Sequence, residues 1–273
     1  LAAFEHDVDL LVWHALKERI PAYADGVRSG RLPRMFGSIE EFCARVPATT
    51  KHMAQTQPDR LSDPSRPADN AYATGGGTGQ STRIPFWNNE NIHSFPDRWM
   101  SRSWFGVRPG DRFFLIRGHS HVLGTGVKGK VKGRWHVLKD SLLGYRSASA
   151  HQPDTEAMRR VCDEVLSYRP RYMICDSAAL DSFCRVNAHR SDELRALGLR
   201  VAIATGDPFP MADGPEWVNR TLGCPCAIEY GSVETGVMGF SRPVSRGLGD
   251  FNLFWRSYFV EAGEAGPRGG RVL

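Results

Sequence analysis

The sequence predicts an α/β fold, with mostly parallel sheets flanked by helices. Short apolar runs typical of strands lie at 112–117, 171–175, 199–204 and 226–229. Segments with helical spacing of their apolar residues lie between these runs. Strands that are separated by helices predict parallel pairing, because a parallel neighbour can only be reached through a crossover connection.

The first quarter of the chain predicts short helices. Apolar residues across 5–25 are spaced as on one face of a helix, and Pro21 and Gly26 predict its end. Ser38 is followed three residues later by Glu41, which is the pattern of a capping box. A second short helix is therefore expected to begin just after Ser38.

Three longer helices are predicted between the strands, over 154–168, 177–196 and 213–222. Asp154 is suited to the N-cap of the first, because its carboxylate can accept from an exposed backbone N–H. Gly198 follows the second, where glycine commonly ends a helix. These helices supply the crossovers that a parallel sheet needs.

Composition excludes several classes of protein. The 273 residues are 41% hydrophobic and include 7 Trp, 7 Tyr and 14 Phe, too many apolar side chains for a disordered chain. No apolar run approaches the roughly 18 residues of a membrane-spanning helix. The net charge of +5 suits an anionic ligand and does not require nucleic acid.

Cellular context is predicted from the cysteines and the N-terminus. Six scattered cysteines, several of them in predicted helices and strands, indicate buried reduced thiols and a cytoplasmic protein. The first residues show no secretory signal. The missing initiator Met favours a piece of a longer chain.

A loop rich in glycine is the sharpest local signal. Residues 74–82 contain four glycines and four hydroxyl residues. Glycines let several backbone N–H groups turn toward one anion, and hydroxyls add donors, so phosphate binding is favoured over a flexible linker. Gln80 stands where the common nucleotide P-loop has lysine, and no clear strand precedes the loop as a dinucleotide fingerprint requires.

A second motif, Tyr-Gly-Ser-Val-Glu-Thr-Gly over 230–236, follows the strand predicted at 226–229. It therefore lies at the carboxyl end of a parallel sheet, where ligands bind in open α/β folds. A carboxylate there, Glu234, is suited to hold Mg²⁺ beside a triphosphate. A plain turn with a solvated glutamate explains this motif equally well when it is taken alone.

Weaker patterns favour other chemistry. His119 and His121 suggest a metal, but further ligands are not evident. Ser120 lacks the second glycine of a hydrolase nucleophile turn. The Cys-Pro-Cys at 224–226 has no companion pair for zinc. The basic segment 126–135 has no aromatic residues at stacking spacing, so a solvated surface is favoured over nucleic-acid binding.

Taken in order, these segments resemble motifs of the adenylate-forming superfamily, and within it of the phenylacetate–CoA ligase-like branch. The loop 74–82 resembles its phosphate loop, and His121 with the next three residues resembles the segment that gates the acyl pocket. Residues 204–208 resemble the turn that borders adenine, and 230–234 resemble a Tyr-Gly-x-Thr/Ser-Glu motif. The resemblance covers roughly residues 40–240.

The resemblance implies a reaction in which ATP and a carboxylic acid form an acyl-adenylate and pyrophosphate, followed by transfer to CoA or another acceptor. It implies three catalytic residues: Thr78 at the β- and γ-phosphates, Glu234 as the Mg²⁺ ligand, and His121 beside the acyl carboxylate. Tyr230 is expected to pack on adenine. The implied nucleotide-binding residues are Thr74, Gly75, Gly76, Gly77, Thr78, Gly79, Ser81, Thr82, Thr205, Gly206, Asp207, Pro208, Tyr230 and Gly231.

The same resemblance implies a large N-terminal domain of an adenylate-forming enzyme. It divides the chain into an N-terminal helical region over 1–70 and a nucleotide- and acyl-binding α/β region over 71–273, with the C-terminal lid domain absent. The expected partner is a small carboxylic acid, without nucleic acid or membrane. Members of this branch often form homodimers, so a homodimer is one expectation.

The sequence departs from the family pattern at two places. Val233 stands where the family has the Thr or Ser before its glutamate, and Ser232 or Thr235 would have to supply that hydroxyl. The ribose-binding Asp and the lysine of the lid have no counterpart in the chain. Two alternatives therefore stay open: a non-catalytic nucleotide- or acyl-binding module, and an acyltransferase similar to the acyl-protein synthetases.

Overall fold

The computed structural model describes residues 12–74, 82–87, 90–117, 144–149, 154–232, 235–241, 251–254, 258, 262–266 and 269–272. Two compact units divide the chain. The first comprises Leu1–Ile92 and Glu261–Leu273, and the second comprises His93–Val260. The domain boundary expected near residue 70 stays a prediction.

Short helices make up most of the first unit. They are α1 (His14–Arg19), α2 (Pro21–Arg28), α3 (Ile39–Arg45) and α4 (Lys51–Thr56), followed by a 3-10 turn at Pro58–Arg60. The first helix ends at Arg19, just before Pro21, as expected, whereas the expectation that Gly26 ends a helix was wrong. Pro21 is the first residue of α2, a position where its missing N–H costs nothing, and Gly26 lies inside α2, where a Cβ would come within 2.6 Å of Leu32 Cδ1.

The predicted capping box at α3 is confirmed. Ser38 Oγ accepts a hydrogen bond of 3.2 Å from Glu41 N, and Glu41 Oε2 accepts one of 2.8 Å from Gly37 N. The first bond satisfies a backbone donor that the first turn of a helix leaves free, and the second ties the residue before the N-cap to the helix. A small core around the fully buried Trp13, with Leu32 and Phe36, holds these helices together.

Two antiparallel pairs of strands complete the first unit. Strands β1 (Asn70–Thr74) and β2 (Thr82–Phe86) pair from Asn70 opposite Phe86 to Thr74 opposite Thr82. A strand thus precedes the glycine-rich loop, contrary to the expectation. Near the C-terminus, β10 (Ala262–Gly266) pairs with β11 (Gly269–Val272).

The second unit is built around a sheet in the order β4-β3-β5-β6-β7-β8-β9. The strands from β4 to β7 are parallel, which confirms the predicted pairing. Strand β8 pairs with β7, and β9 pairs with β8, both in antiparallel orientation. The sequence had not indicated this extension of the sheet. The strands are β3 (Phe113–Arg117), β4 (Tyr145–Ser149), β5 (Tyr172–Asp176), β6 (Ala202–Thr205), β7 (Cys226–Ser232), β8 (Gly236–Ser241) and β9 (Phe251–Leu253).

The helices of this unit connect the strands. They are α5 (Glu90–Ser103, which begins at the unit boundary), α6 (Thr155–Tyr168), α7 (Ser177–Val186), α8 (Ser191–Arg195) and α9 (Gly214–Leu222), with a 3-10 turn at Ala188–Arg190. The single helix predicted over 177–196 was wrong. The chain leaves helical geometry at buried Asn187, whose side-chain amide donates to the Phe183 and Met158 carbonyl oxygens at 2.9 and 3.1 Å.

Alternate residues of the central strands face two different cores, as the two-residue period of a strand requires. One face, which we call the α6–α9 face, buries Phe114, Met173 and Ala202 against Met158, Val165, Leu180, Phe183, Leu194 and Val218. The other, the α5 face, buries Tyr172, Ile174, Val201, Ile203 and Phe240 against Trp99, Trp104 and Phe105. Among the described residues, no helix is long and apolar enough to cross a bilayer.

Candidate active site

The carboxyl ends of the parallel strands lie side by side in the second unit. Asp176 at the end of β5 is in register with Thr205 at the end of β6, and Thr205 is in register with Glu229 of β7. Tyr230 and Gly231 follow on β7. This edge is where open α/β sheets bind their ligands.

A cavity of about 330 Å³ opens at this edge. Small-molecule sites span about 300–1,000 Å³, so it is large enough for part of a nucleotide. Both segments that the sequence assigned to adenine line it, one after β6 and one at the end of β7. Its walls are Ser177, Thr205, Gly206, Asp207, Pro208, Phe209, Met211, Ala212, Ile228, Glu229, Tyr230, Gly231 and Phe251.

The turn after β6 needs glycine at Gly206. Its φ of +86° lies in the left-handed region, which side chains other than glycine rarely adopt. The hydroxyl of buried Ser177, the first residue of α7, donates to the Thr205 carbonyl oxygen at 3.4 Å. The predicted adenine segment 205–208 is thereby fixed as one wall of the cavity.

Tyr230 also lines the cavity, and its ring centroid lies 5.4 Å from that of Phe251 on β9. The strand bulges between Tyr230 and Gly231. A Cβ on Gly231 would overlap the Gly236 carbonyl oxygen of β8, so only glycine permits this approach of the two strands. The aromatic ring offers a face on which a purine can stack.

A hydroxyl-rich turn follows Tyr230 and Gly231. Ser232 Oγ lies 3.0 Å from Thr235 Oγ1 and accepts a hydrogen bond of 3.2 Å from Thr235 N. Tyr258 donates its phenol hydrogen to the Thr235 carbonyl oxygen at 2.6 Å. The two hydroxyls considered as substitutes for the one missing at Val233 are thus bonded to each other. Glu234 lies outside the described residues.

The first unit carries the two described ends of the phosphate loop. Thr74 ends β1 and pairs with Thr82, which begins β2. Thr82 is buried, and its Oγ1 accepts a hydrogen bond of 3.0 Å from the Gln55 side-chain amide. The loop itself, 75–81, lies outside the described residues, and so does His121. Its predicted anion site therefore stays a prediction.

Charged groups on the α5 face were not predicted from the sequence. Arg102 of α5 approaches Glu229 of β7, with Nη2 3.5 Å from Oε2, and both side chains are largely buried. One turn earlier on α5 lies Arg98, and at the end of β3 Arg117 approaches Asp176 at 4.0 Å. The signal in the sequence was the four-residue spacing of the two arginines, which places them on one side of a helix.

Burial shifts the proton affinity of groups around these charges. It lowers the pKa of Arg98, an effect that nearby Glu229 opposes. It also raises the pKa of the Tyr172 phenol, against which the Arg102 guanidinium lies 6.0 Å from the ring centroid. The two arginines therefore occupy surroundings of lower polarity than bulk water.

The cysteines considered for zinc pack in the apolar core instead. Burial raises the pKa of Cys224 and of Cys226 to about 12 each. No group of three or more His, Cys, Asp or Glu residues suited to a metal ion occurs within the described parts of the chain.

Comparisons with known proteins identify the fold. No family model matches the sequence, and neither does any curated protein. Among solved structures, the chain is similar to 2-hydroxyisobutyryl-CoA ligase in an open conformation in complex with 2-HIB-AMP and CoA, with a TM-score of 0.66 and 16% identity over 93% of this chain. The same ligase in its thioesterification state gives a TM-score of 0.62 and 16% identity over 94% of this chain.

The chain spans 58% of the length of the first of these structures and 54% of the second. The predicted α/β fold class is confirmed, because the sheet is mostly parallel and flanked by helices, and the fold is similar to that of this ligase. At 16% identity, what the chain shares with this ligase is the fold.

Proposed function

We propose that this chain takes part in the ATP-dependent activation of a small carboxylic acid to an acyl-adenylate, with release of pyrophosphate. One observation carries the proposal. The segment 205–208 and the pair Tyr230–Gly231 resemble the two adenine-binding motifs of the superfamily, and both line one cavity at the carboxyl end of the sheet.

The described residues suit the base of a nucleotide. Tyr230 presents an aromatic ring beside Phe251, and the backbone of 205–208 offers polar groups to the edge of a purine. Stacking and edge contacts of this kind fix the orientation of the base. The phosphates and the reacting carboxylate are thereby held in line, which reduces the entropic cost of their meeting.

The chemistry itself joins two anions, so neutralising their charge dominates the barrier. We assign the β- and γ-phosphates to the backbone N–H groups and hydroxyls of 74–82, with Thr78 among them. His121 is assigned to the acyl carboxylate. Mg²⁺, bound by Glu234, would supply positive charge at the triphosphate. Transfer to CoA would follow, and a homodimer and a cytoplasmic setting belong to the same proposal.

The direct test is pyrophosphate release measured across a panel of carboxylic acids with ATP and Mg²⁺. Glu234→Gln removes the charge that holds the cation, so we expect adenylation to fall by on the order of 10²-fold or more. Glu216→Gln on the exposed side of α9 is the matched control and should keep the full rate. An unchanged rate in Glu234→Gln would refute the assignment.

A second candidate is a non-catalytic nucleotide- or acyl-binding module. The observation that favours it is the hydrogen bonding of Ser232 and Thr235 to each other, which leaves the hydroxyl absent at Val233 without a described substitute. Such a module would bind ATP in a calorimetric titration without releasing pyrophosphate for any acid of the panel.

A further inference from the structure

The cavity at the ends of β6 and β7 depends on a stretch of chain without regular structure. We call residues 205–212 the cavity segment. It begins at the end of β6, it ends beside Asp213 just before α9, and it supplies more than half of the residues that line the cavity. Asp207 and Met211 are exposed within it. Such a segment binds a ligand well only when it is already ordered, because ordering it on binding costs free energy.

Uncharged contacts hold the start and the middle of the cavity segment. At its start, the Ser177 hydroxyl of α7 donates to the Thr205 carbonyl oxygen at 3.4 Å. In its middle, Phe209 packs against the apolar core of the α6–α9 face, and a Cβ on Gly214 would overlap the Phe209 ring. The absence of a side chain at Gly214 therefore leaves the space that Phe209 occupies.

An ion pair holds the end of the cavity segment. Arg185, about two turns along α7 from Ser177, donates from Nη2 to Asp213 Oδ1 at 2.6 Å. Trp217 of α9 donates from Nε1 to Asp213 Oδ2 at 3.1 Å, and its ring centroid lies 5.1 Å from the Arg185 guanidinium. Asp213 occupies the N-cap position of α9, yet its side chain makes no capping bond. Its two carboxylate oxygens serve the contacts with Arg185 and Trp217 instead.

A second carboxylate fixes the direction of Arg185. Asp181 Oδ2 accepts a hydrogen bond of 2.9 Å from Arg185 Nε, and only 8% of the Asp181 side chain is exposed. A carboxylate that binds one edge of the planar guanidinium fixes where its other donors point. The hydrogen bond from Arg185 holds the pKa of Asp213 below its ordinary value, so Asp213 carries its charge at neutral pH.

The exposure of the pair of Arg185 with Asp213 separates its local effect from global stability. The two side chains are 32% and 50% exposed, and ion pairs of that exposure contribute little to the free energy of unfolding. Neither residue lines the cavity. Loss of the pair should therefore loosen the end of the cavity segment without unfolding the protein.

We infer that Arg185 and Asp213 are positioning residues for the nucleotide base, because their ion pair ties the end of the cavity segment to α7 and keeps it ordered before ATP binds. The inference rests on the proposed function, which makes the ligand a nucleotide. Because α7 also holds Thr205 through Ser177, one helix fixes both ends of the segment.

The experiment is a calorimetric titration of Asp213→Ser with ATP in the presence of Mg²⁺. Serine is as good an N-cap residue as aspartate, so α9 keeps its start while the ion pair is lost. We expect ATP to bind about 10-fold more weakly, because the segment must now be ordered on binding. Inorganic tripolyphosphate, which has no base, should bind as it does to the parent. Amide hydrogen exchange over 205–213 should be faster in the free variant and should slow when ATP is added.

Two further variants are the controls. Asp213→Glu keeps the carboxylate and should retain most of the ATP affinity. Glu216→Ser removes the exposed ion pair of Glu216 with Arg220 within the same helix, 3.6 Å in length, and should match the parent. Thermal melts report whether each variant is folded, and Asp213→Asn, which also keeps an N-cap residue, carries the test if Asp213→Ser unfolds.

The inference is overturned if Asp213→Ser binds ATP as tightly as the parent, if tripolyphosphate is weakened equally, or if Asp213→Glu loses as much affinity as Asp213→Ser. Any of these results in a protein that releases pyrophosphate with an acid of the panel leaves the proposed function standing. The expected pattern in a protein that releases no pyrophosphate sustains the inference and rejects acid activation. A parent protein that binds no ATP overturns both.

Discussion

The two faces of the sheet in the second unit are covered by opposite chemistry. On the α6–α9 face, buried side chains are almost all apolar, and four cysteines with little or no access to solvent lie among them. On the α5 face, the core that contains Tyr172 and Phe240 gives way near the carboxyl ends of the strands to the largely buried ion pair of Arg102 with Glu229. Both faces share the same strands, so the difference comes from alternate side chains of one backbone.

This contrast bears on the stability of the second unit. An apolar core gains free energy in proportion to the area it removes from water. The α6–α9 face also buries a few polar groups, of which Asp181 Oδ1 and Asn187 Oδ1 have no hydrogen-bond partner among the described residues. On a face that buries a guanidinium group, the cost of desolvating that group offsets part of the gain. We therefore expect the largest loss of stability from a substitution in the apolar core of the α6–α9 face.

The largest effect is expected on the α6–α9 face. Phe183 of α7 is fully buried in its core, so Phe183→Ala leaves a cavity and should lower the free energy of unfolding by about 3–5 kcal/mol. Chemical denaturation measures the loss, and Phe183→Leu, which retains most of the volume, should lose much less. A loss below about 1 kcal/mol in Phe183→Ala would show that this face does not carry the stability.

Alkaline pH should act on the same face through its thiols. Burial raises the pKa of Cys224 and Cys226 to about 12, whereas unfolded thiols titrate near 9.0. Between these values the unfolded chain releases protons that the folded chain keeps, so stability falls as pH rises, by about 1.4 kcal/mol per pH unit for each thiol. At pH values below the pKa of the unfolded thiols, the two thiols do not change stability with pH, because they are protonated in both states.

Urea melts at about pH 8, 9 and 10 test this prediction. The free energy of unfolding of Cys224→Ala should fall less steeply with pH than that of the parent, because one thiol with a raised pKa is removed. Cys43→Ala, which alters a half-buried cysteine of the first unit, should keep the parent slope. Equal slopes for all three proteins would contradict the assignment of the pH dependence to the buried thiols.

Much of the parallel sheet was predictable, because its strands are short apolar runs that stand out from amphipathic helices. The strand β5 and the helix α6 lie within one or two residues of their predicted bounds. The hairpin of β1 and β2 was missed because Arg83 and Pro85 interrupt the pattern of β2. Trp104 and Phe105 both pack against Phe240 on the α5 face.

The candidate site was predictable only where a motif marks it. Residues 205–208 and Tyr230 could be assigned to one site because glycine or proline follows each strand in the sequence and so marks where the strand ends. The structure places both segments in the lining of one cavity. Arg98 and Glu229 lie far apart in sequence, and each resembles an ordinary charged residue. Only the folded chain shows that α5 brings these charges together beneath β7.

The central claim is that the cavity at the ends of β6 and β7 binds the base of ATP, and titration calorimetry with ATP tests it most directly. Tyr230→Ala removes the ring of the proposed adenine wall, so ATP should bind about 10-fold more weakly, while Tyr230→Phe should match the parent. Tyr145→Ala removes a stacked ring from β4, outside the cavity, and should leave ATP affinity unchanged. An equal ATP affinity in Tyr230→Ala and the parent would contradict the account.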